Sequence, residues 1–520
     1  MKNSVGREIP THIAGYRAVR PFTGAFDNLG VVTRTTATLT SAVPDRQKVL
    51  PDIATAIRAC GLRDGATISF HHHLRDGDHV LNRVLAEIAR LGIRDIRVAS
   101  SSLFPAHAPL VDHFASGVVT GICATYIAGP VGEAIAHGAL ARPIVMYTHG
   151  GRARAIEAGD LHIDVAFVAA PTADTYGNIN GVDGVSACGT LGYAATDVSY
   201  ADWVVAVTDH LVPYPACPID ITQDQVDFVV AVDSIGDPKG IVSGITRATT
   251  DPVGLQIADM ATRVIEASGL LGEDFSFQTG AGGISLAVAD SLRETMYRRN
   301  VQGSFAAGGI TGYIVDMLET GLFRALFDVQ CFDLRAVDSY RRNPLHQAMT
   351  ASMYGNPHNR GAVVNRLSAM ILGAAEIDRE FNVNVTTGAD GRIIGGSGGH
   401  ADCAAGAKLA LVTTRLNASG YAKVVDSVTT VTTPGETVDA LVTDAGVAVN
   451  PRREDLRERL VRAGLPVVSI DALREKAAAQ SVNTARERSA HGRVVAVVEY
   501  RDGTVIDVVR ETGGGPVAGS

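Results

Sequence analysis

From about residue 66 the chain alternates short apolar runs with stretches that are apolar on one side only. ATISF (66–70), IRVAS (96–100), PIVMYTH (143–149), IDVAFVA (163–169), WVVAVTD (203–209) and DFVVAVD (227–233) are dominated by Val, Ile, Phe and Ala. Runs this continuous predict strands buried on both faces, the habit of a parallel sheet. Between the first two, His79–Leu91 sets Val80, Val84, Leu85, Ile88 and Leu91 on one side of a helix.

The Gly/Pro-rich stretch SIGDPKGIVSG (234–244) interrupts this rhythm, which then restarts. Gly254–Gly269 predicts a helix closed by a Ser-Gly C-cap. Strands are expected at FSFQ (275–278), SFAA (304–307), LFDVQCF (326–332), AMILG (369–373), LALVTT (409–414), KVVD (423–426) and DALVTD (439–444), with helices at 284–299 and 312–320. RREDLRERLVRAG (452–464) predicts a surface helix, and GRVVAVVEYRDGTVIDVVRE a hairpin around Asp502-Gly503. The expected fold class is α/β: two successive domains, each an open mixed or parallel sheet covered by helices. Residues 1–50 are polar and irregular and predict an arm that packs on another part of the molecule. The boundaries drawn are 1–50 for the arm, 51–235 for the first domain, and 236–520 for the second, with the C-terminal hairpin assigned to it.

Composition narrows the function. The 520 residues are 46% hydrophobic and 19% charged, which excludes a mostly disordered chain. Lys and Arg together number 46 against 55 Asp and Glu, a net charge of −9, with a single Trp, Trp203. That balance, with few aromatics, argues against a nucleic-acid partner. The cysteines at 60, 123, 188, 217, 331 and 403 lie far apart, so neither CxxC metal spacing nor a disulfide scaffold is present. No apolar run reaches 18 residues and the N-terminus lacks an apolar signal core, so a cytoplasmic protein with no membrane partner is expected.

Two glycine-rich turns carry the candidate chemistry. FSFQ runs into Thr279-Gly280-Ala281-Gly282-Gly283 ahead of a helix. RII (392–394), taken as strand, runs into Gly395-Gly396-Ser397-Gly398-Gly399-His400. Such turns offer backbone N–H groups to a carboxylate, a phosphate or a developing oxyanion. Gly396-x-Gly398-x-x-Ala401 also fits a dinucleotide pattern, but the acidic residue expected about 20 positions later is missing. His149-Gly-Gly-Arg152-Ala-Arg154 follows a predicted strand, and its two arginines are candidate carboxylate clamps. His71-His72-His73 with His79 matches no standard ligand spacing, and no metal site is assigned.

The runs SSLFPAHAPL (101–110), THGGRARAIEAGDLHIDVAF (148–167), APTADTYGNINGVDG (170–184), VDSIGDPKGIVSG (232–244), FSFQTGAGGISLAVA (275–289), FDVQCFDL (327–334), NVNVTTGADG (382–391) and GGSGGHADCAAGAK (395–408) closely resemble the citrate lyase alpha subunit, from about residue 10 to the end. The resemblance implies a CoA-transferase fold and exchange of acetate for citrate on an acyl carrier protein thioester. It implies no directly bound cofactor. The chemistry would fall on the dephospho-CoA-derived group of the carrier, or on CoA thioesters. A beta subunit and the gamma subunit, which is the carrier, are the implied partners, citrate and acetate the implied substrate and product, and a homo-oligomer within a larger complex is expected. Gly280, Ala281, Gly282 and Gly283 are then expected at the thioester oxyanion. His149, Arg152, Arg154, Gly396, Ser397, Gly398, Gly399 and His400 are expected at citrate.

Many CoA-transferases use a glutamate that forms a glutamyl thioester. In related 4-hydroxybutyrate-type enzymes that position falls here at about Gly308, and 303–315 contains neither Glu nor Asp. This agrees with direct attack by citrate and a mixed anhydride. Glu376 and Asp378 are the nearest alternative carboxylates, and Glu376 is not favoured as a nucleophile. The alternatives are a transferase for another carboxylate using free CoA, and a non-catalytic carrier-docking scaffold. Arg341-Arg342 and the arginines of 452–463 are candidate docking patches for an acidic carrier.

Overall fold

The computed structural model describes residues 1–37, 44, 46–242, 248–280, 282–484 and 492–512. The first half holds β1 (Val49–Leu50), β2 (Thr67–Phe70), β3 (Ile96–Ser100), β4 (Val119–Ala124), β5 (Ile144–Met146), β6 (Val165–Ala170), β7 (Trp203–Thr208) and β8 (Phe228–Ala231). The second holds β9 (Ser276–Thr279), β10 (Gly303–Ile310), β11 (Phe323–Cys331), β12 (His346–Ala348), β13 (Ala369–Gly373), β14 (Ala410–Thr413), β15 (Ala440–Thr443) and β16 (Gly446–Val449). β17 (Val494–Glu499) and β18 (Val505–Arg510) form the terminal hairpin.

The first sheet runs β1-β8-β7-β6-β2-β3-β4-β5-β17-β18 and the second β12-β11-β10-β9-β13-β14-β15-β16. Each is parallel except for its last pair, β17–β18 and β15–β16. The two α/β units are therefore as the apolar runs predict, with both faces of their strands buried. In each half the chain steps outward over four strands and then returns to the far side of the first, so that β2 and β9 sit at equivalent switch points. Ligands of open α/β sheets bind outside the carboxyl ends of strands at such points.

A smaller device is repeated as well. After β6, Asp174 Oδ1 accepts from the N–H groups of Tyr176, Gly177 and Asn178, and Asn180 Oδ1 from those of Val182 and Asp183. After β13, Asp378 Oδ1 accepts from Glu380 and Asn382, and Asn384 Oδ1 from Thr386 and Thr387. Thr172 of the first half stands where the second half has Glu376.

Three expectations are corrected. The C-terminal hairpin does not belong with the second half: β17 pairs with β5 and extends the first sheet. Its alternation registers faithfully in sequence, but the strand it joins lies some 350 residues earlier, which no local pattern reveals. KVVD is not a main-sheet strand; Val424–Val425 pairs with Glu376–Asp378 in a small separate sheet. Residues 392–394 are not a strand, and Ile393 makes only an isolated bridge to Thr387. The arm packs as expected: Ile9 and Ile13 lie against Val497, Val505 and Val508, Phe22 packs edge-on against Tyr500, and Asn3 donates to the Ile506 carbonyl at 2.8 Å. Its last residues, Val49–Leu50, add the edge strand beside β8. Among the described residues no helix is long and apolar enough to cross a membrane.

Candidate active site

The carboxyl ends of the two sheets converge on one cavity of about 270 Å³. From the first half come His72 and Arg75 after β2, Ser102 and Phe104 after β3, Tyr126 after β4, and His149 after β5. From the second come Gln278–Gly280 and Gly282 at the end of β9, Gly309 on β10, Gln330 and Phe332 at the end of β11, and the Gly396–His400 turn. Among the described residues, this lining contains no Asp, Glu, Cys or Lys.

The Gly396–His400 turn reaches the site by crossing between the halves. Gly395 accepts from the Ile127 N–H, Gly398 donates to the Thr125 carbonyl at 3.1 Å, and His149 N–H donates to the Gly398 carbonyl at 2.7 Å. Gly396 is required sterically, since a Cβ there would overlap the Thr125 carbonyl. The N–H groups of Gly398 and Gly280 are therefore spent on backbone carbonyls, Gly280 on Ile371 at 2.9 Å. Donors for an oxyanion must come from neighbouring amides, such as Ser397, and from the first turn of the helix Gly283–Arg298. Ala281 lies outside the described residues, and Gly283 opens the helix just beyond the cavity lining.

The helix His149–Glu157 is capped twice. Thr148 Oγ1 accepts from the Gly151 N–H at 2.7 Å, and Asp402 accepts from both Thr148 Oγ1 and the Gly150 N–H at 2.8 Å. Burial pushes the Asp402 carboxyl up to about 6, against the opposing pull of Arg501. This residue fixes the first half's helix to the helix His400–Gly406 of the second.

His149 and His400 both line the cavity, in different states. His400 Nε2 donates to the Gly373 carbonyl at 2.9 Å and its Nδ1 lies 2.7 Å from Thr433 Oγ1, so both nitrogens are committed. Burial lowers it to about 4. His149 Nδ1 lies 3.0 Å from Thr125 Oγ1. Burial, with Arg152 and Arg75 nearby, lowers it to about 3. Both imidazoles are neutral at physiological pH.

The arginine clamp is corrected. Arg152 and Arg154 lie on the predicted segment, but neither lines the cavity. Arg152 donates to both oxygens of Asp197 at 2.7 and 2.8 Å and to the Ala99 carbonyl at 2.7 Å. Arg154 donates to Asp160 at 2.7 Å and lies 3.7 Å from Glu499. The segment forms a helix rather than a loop: Arg154, five residues on, is turned away from His149, while Arg152, one turn from His149 on the same side, is drawn off to Asp197 and the Ala99 carbonyl. The lining cation is Arg75, which the sequence pattern did not single out. It is buried, holds φ +52° on a short 3-10 turn, and lies over the rings of Phe104 and Phe332 at 5.1 and 4.8 Å. Burial lowers it to about 10, which leaves it charged at neutral pH. The signal available in sequence was an Arg shortly past a strand end, hidden beside a conspicuous histidine tract.

That tract is interior structure. His71 accepts from the Ala169 N–H at 2.9 Å and contacts His73, while His73 accepts from the Tyr193 N–H at 3.3 Å. Only His72 reaches the cavity. Glu376 lies outside it, accepting from Thr429 N–H, Thr429 Oγ1 and Asn384 Nδ2 at 2.7, 3.0 and 2.9 Å. Gly308, near which the resemblance implies the glutamate position, has φ +97°, and a Cβ on it would lie 2.5 Å from the Gln278 side chain. Any side chain at Gly309 would overlap the Phe332 ring. The arginine patches are largely compensated: Arg341 pairs with Asp183, Arg342 with Asp338, and Arg453 with Asp439 and Asp455.

Two parallel sheets meeting carboxyl end to carboxyl end over a shared cavity define a CoA-transferase-like α/β protein. A 4-hydroxybutyrate CoA-transferase from Porphyromonas gingivalis shares this fold at 16% identity, with a TM-score of 0.53 over 82% of this chain and 97% of that one. The family model for citrate lyase, alpha subunit, matches residues 46–512, and the chain belongs to that family. It is 46% identical to the citrate lyase alpha chain of Klebsiella pneumoniae over 468 residues, 90% of this chain and 92% of that one. It also superposes with a TM-score of 0.95 on a Streptococcus mutans structure described as an alpha subunit of citrate lyase in complex with citrate, at 46% identity over 99% of this chain and all of that one.

Proposed function

We propose that this chain transfers an acyl carrier thioester from acetyl to citrate, within a complex containing a beta subunit and the carrier. The observation that carries this reading is a cavity lined by Arg75, histidines and two glycine turns that offers no protein carboxylate, thiol or amine as nucleophile among the described residues. The relative solved with citrate supports the choice of acid.

A citrate carboxylate oxygen attacks the acetyl thioester carbonyl. The bond to sulfur breaks, and the carrier thiolate leaves as a mixed citryl–acetyl anhydride forms. The thiolate then attacks the citryl carbonyl and acetate departs. Arg75 offsets the charge of the acid. The helix N-terminus at Gly283 and the free amides of the second glycine turn face the developing oxyanion, a contribution of roughly 3 kcal/mol per donor. Proximity replaces the covalent step, and burial protects the anhydride from water. No bound cofactor is needed, because the reactive sulfur belongs to the carrier's own prosthetic group.

The test is to incubate the chain with acetylated carrier, with and without citrate. Citrate-dependent release of acetate and formation of citryl-carrier supports the reading. A carrier- or CoA-linked peptide of this chain, found by mass spectrometry or borohydride trapping, would overturn the direct mechanism. Transfer only from free acetyl-CoA would favour the alternative donor.

A further inference from the structure

Of the histidines that line the cavity, His72 and His149 are held in opposite tautomers by their hydroxyl partners. Thr125 Oγ1 donates its proton to the Ser101 carbonyl at 2.5 Å, so it can only accept from His149. His149 therefore carries its proton on Nδ1, and its Nε2 is a lone pair with no hydrogen-bond partner among the described residues. Ser101 Oγ accepts from the His72 N–H at 3.0 Å, and its own proton has no acceptor among the described residues other than His72 Nδ1 at 2.6 Å. His72 then carries its proton on Nε2, a donor. The rings stack with centroids 5.6 Å apart and planes 15° from parallel.

A neutral acceptor beside a neutral donor is a poor site for two carboxylates, because the His149 lone pair would repel one of them. It suits a hydroxyl next to a carboxylate. We propose that His149 Nε2 accepts the hydrogen bond of the acid's hydroxyl group while His72 Nε2–H donates to the adjoining carboxylate, which makes this pair the determinant that selects a 2-hydroxy acid. The inference rests on the citrate reading above and specifies which part of the acid is read. Buried groups arranged for a substrate hydroxyl reject the analogue that lacks it far more strongly than an apolar pocket discriminates by size. Burial keeps both rings neutral, so the pattern holds across physiological pH. Thr125 acts as a positioning residue, since it sets the tautomer without touching the acid.

The experiment compares citrate with propane-1,2,3-tricarboxylate, which differs only by the hydroxyl. Dissociation constants are measured by calorimetry on the full chain, and kcat/KM with acetylated carrier. The wild type is expected to prefer citrate by about 100-fold or more. His149→Phe, which keeps the ring but loses the acceptor, should reduce that ratio to below about 5, and His149→Gln should restore part of it. Thr125→Val tests the same point without altering the ring: the released tautomer should lower the ratio by about tenfold or more, and this variant decides the matter if His149→Phe does not fold by circular dichroism. A wild-type ratio near one overturns the inference and leaves the citrate reading standing. So does a ratio that survives in the folded variants. If neither acid binds the wild type, the citrate reading itself falls, and this inference with it.

Discussion

The two halves of the molecule are built on one plan and furnish different chemistry. Both place their first strand, β2 or β9, at the switch point of a parallel sheet, and both carry an Asx-turn hairpin after the fifth main strand, β6 or β13. They diverge in the turn leaving the first strand. After β2 it is His71-His72-His73 and Arg75, dense in side chains and buried; after β9 it is a glycine turn opening a 16-residue helix. The first half thus supplies side-chain donors, an acceptor and a cation, and the second supplies backbone amides. Neither half makes a site alone, and identifiable contacts bring them together.

A tight backbone contact between the halves offers the most severe test. Gly396→Ala puts a methyl group into the Thr125 carbonyl of the other half. Backbone cannot yield there without parting the halves, so the proposed acyl-carrier transfer should fall by more than about 1,000-fold, or soluble protein should be lost. Normal activity and yield would show that the turn is not clamped as described.

Arg152→Ala should come next, acting on stability. It leaves Asp197 buried and uncompensated, at a cost of about 3–5 kcal/mol in denaturant unfolding. KM for citrate in the protein that remains folded should be unchanged within about twofold, because the guanidinium does not line the cavity. A selective rise in KM would restore this residue to the acid site. Arg75→Ala should do the opposite, weakening citrate binding by about 1.5–3 kcal/mol, the scale of a hydrogen bond to a charged group. Unchanged affinity by calorimetry would remove Arg75 from the site.

Acid should weaken the molecule through its buried histidines. His71 and His400 titrate near 4 and His149 near 3, against an ordinary value of about 6.5. Their folded-state pKa values are depressed, so the unfolded chain binds more protons between these limits. The stabilisation is complete above about 6.5 and is lost as pH falls toward about 4, by up to about 1.4 kcal/mol per pH unit for each group. Asp402, raised to about 6, and the raised carboxyls of Asp220, Asp378, Asp439 and Glu499 oppose this, while His72 and His73, also lowered by burial, add to it. Unfolding by urea at pH 7 and pH 5 should therefore show lower stability at pH 5, and equal stabilities would contradict the burial of these rings.

Glu376→Gln should have the smallest effect. The residue occupies the place that Thr172 holds in the first half and anchors Thr429 and Asn384. Turnover should stay within about threefold, with a stability loss of about 1–2 kcal/mol from one compromised hydrogen bond. Abolished turnover in a folded variant would make it the nucleophile after all.

The apolar runs were enough to define two parallel α/β units. Burial on both strand faces writes itself locally as Val- and Ala-rich strings, and helix caps such as Gly269, at φ +81°, write themselves as Ser-Gly. The absence of an acid from 303–315 was likewise legible, and the strain and crowding at Gly308 and Gly309 give it a physical basis. Long matching strings identified the family. Direction was not legible. Arg152 and His149 are three residues apart on one side of a helix, yet Arg152 is held in an ion pair with Asp197, 45 residues on, while His149 reaches the cavity. Nor was pairing across distance: β17 joins β5, and the 396–399 turn docks on residues 125 and 149, because these contacts bring together segments hundreds of residues apart. The sequence by itself determined most of the elements, the glycine turns and the absence of Glu and Asp from 303–315. Only the tertiary structure decided which side chains face one another across the halves, since that follows from packing between segments hundreds of residues apart, which local periodicity does not encode.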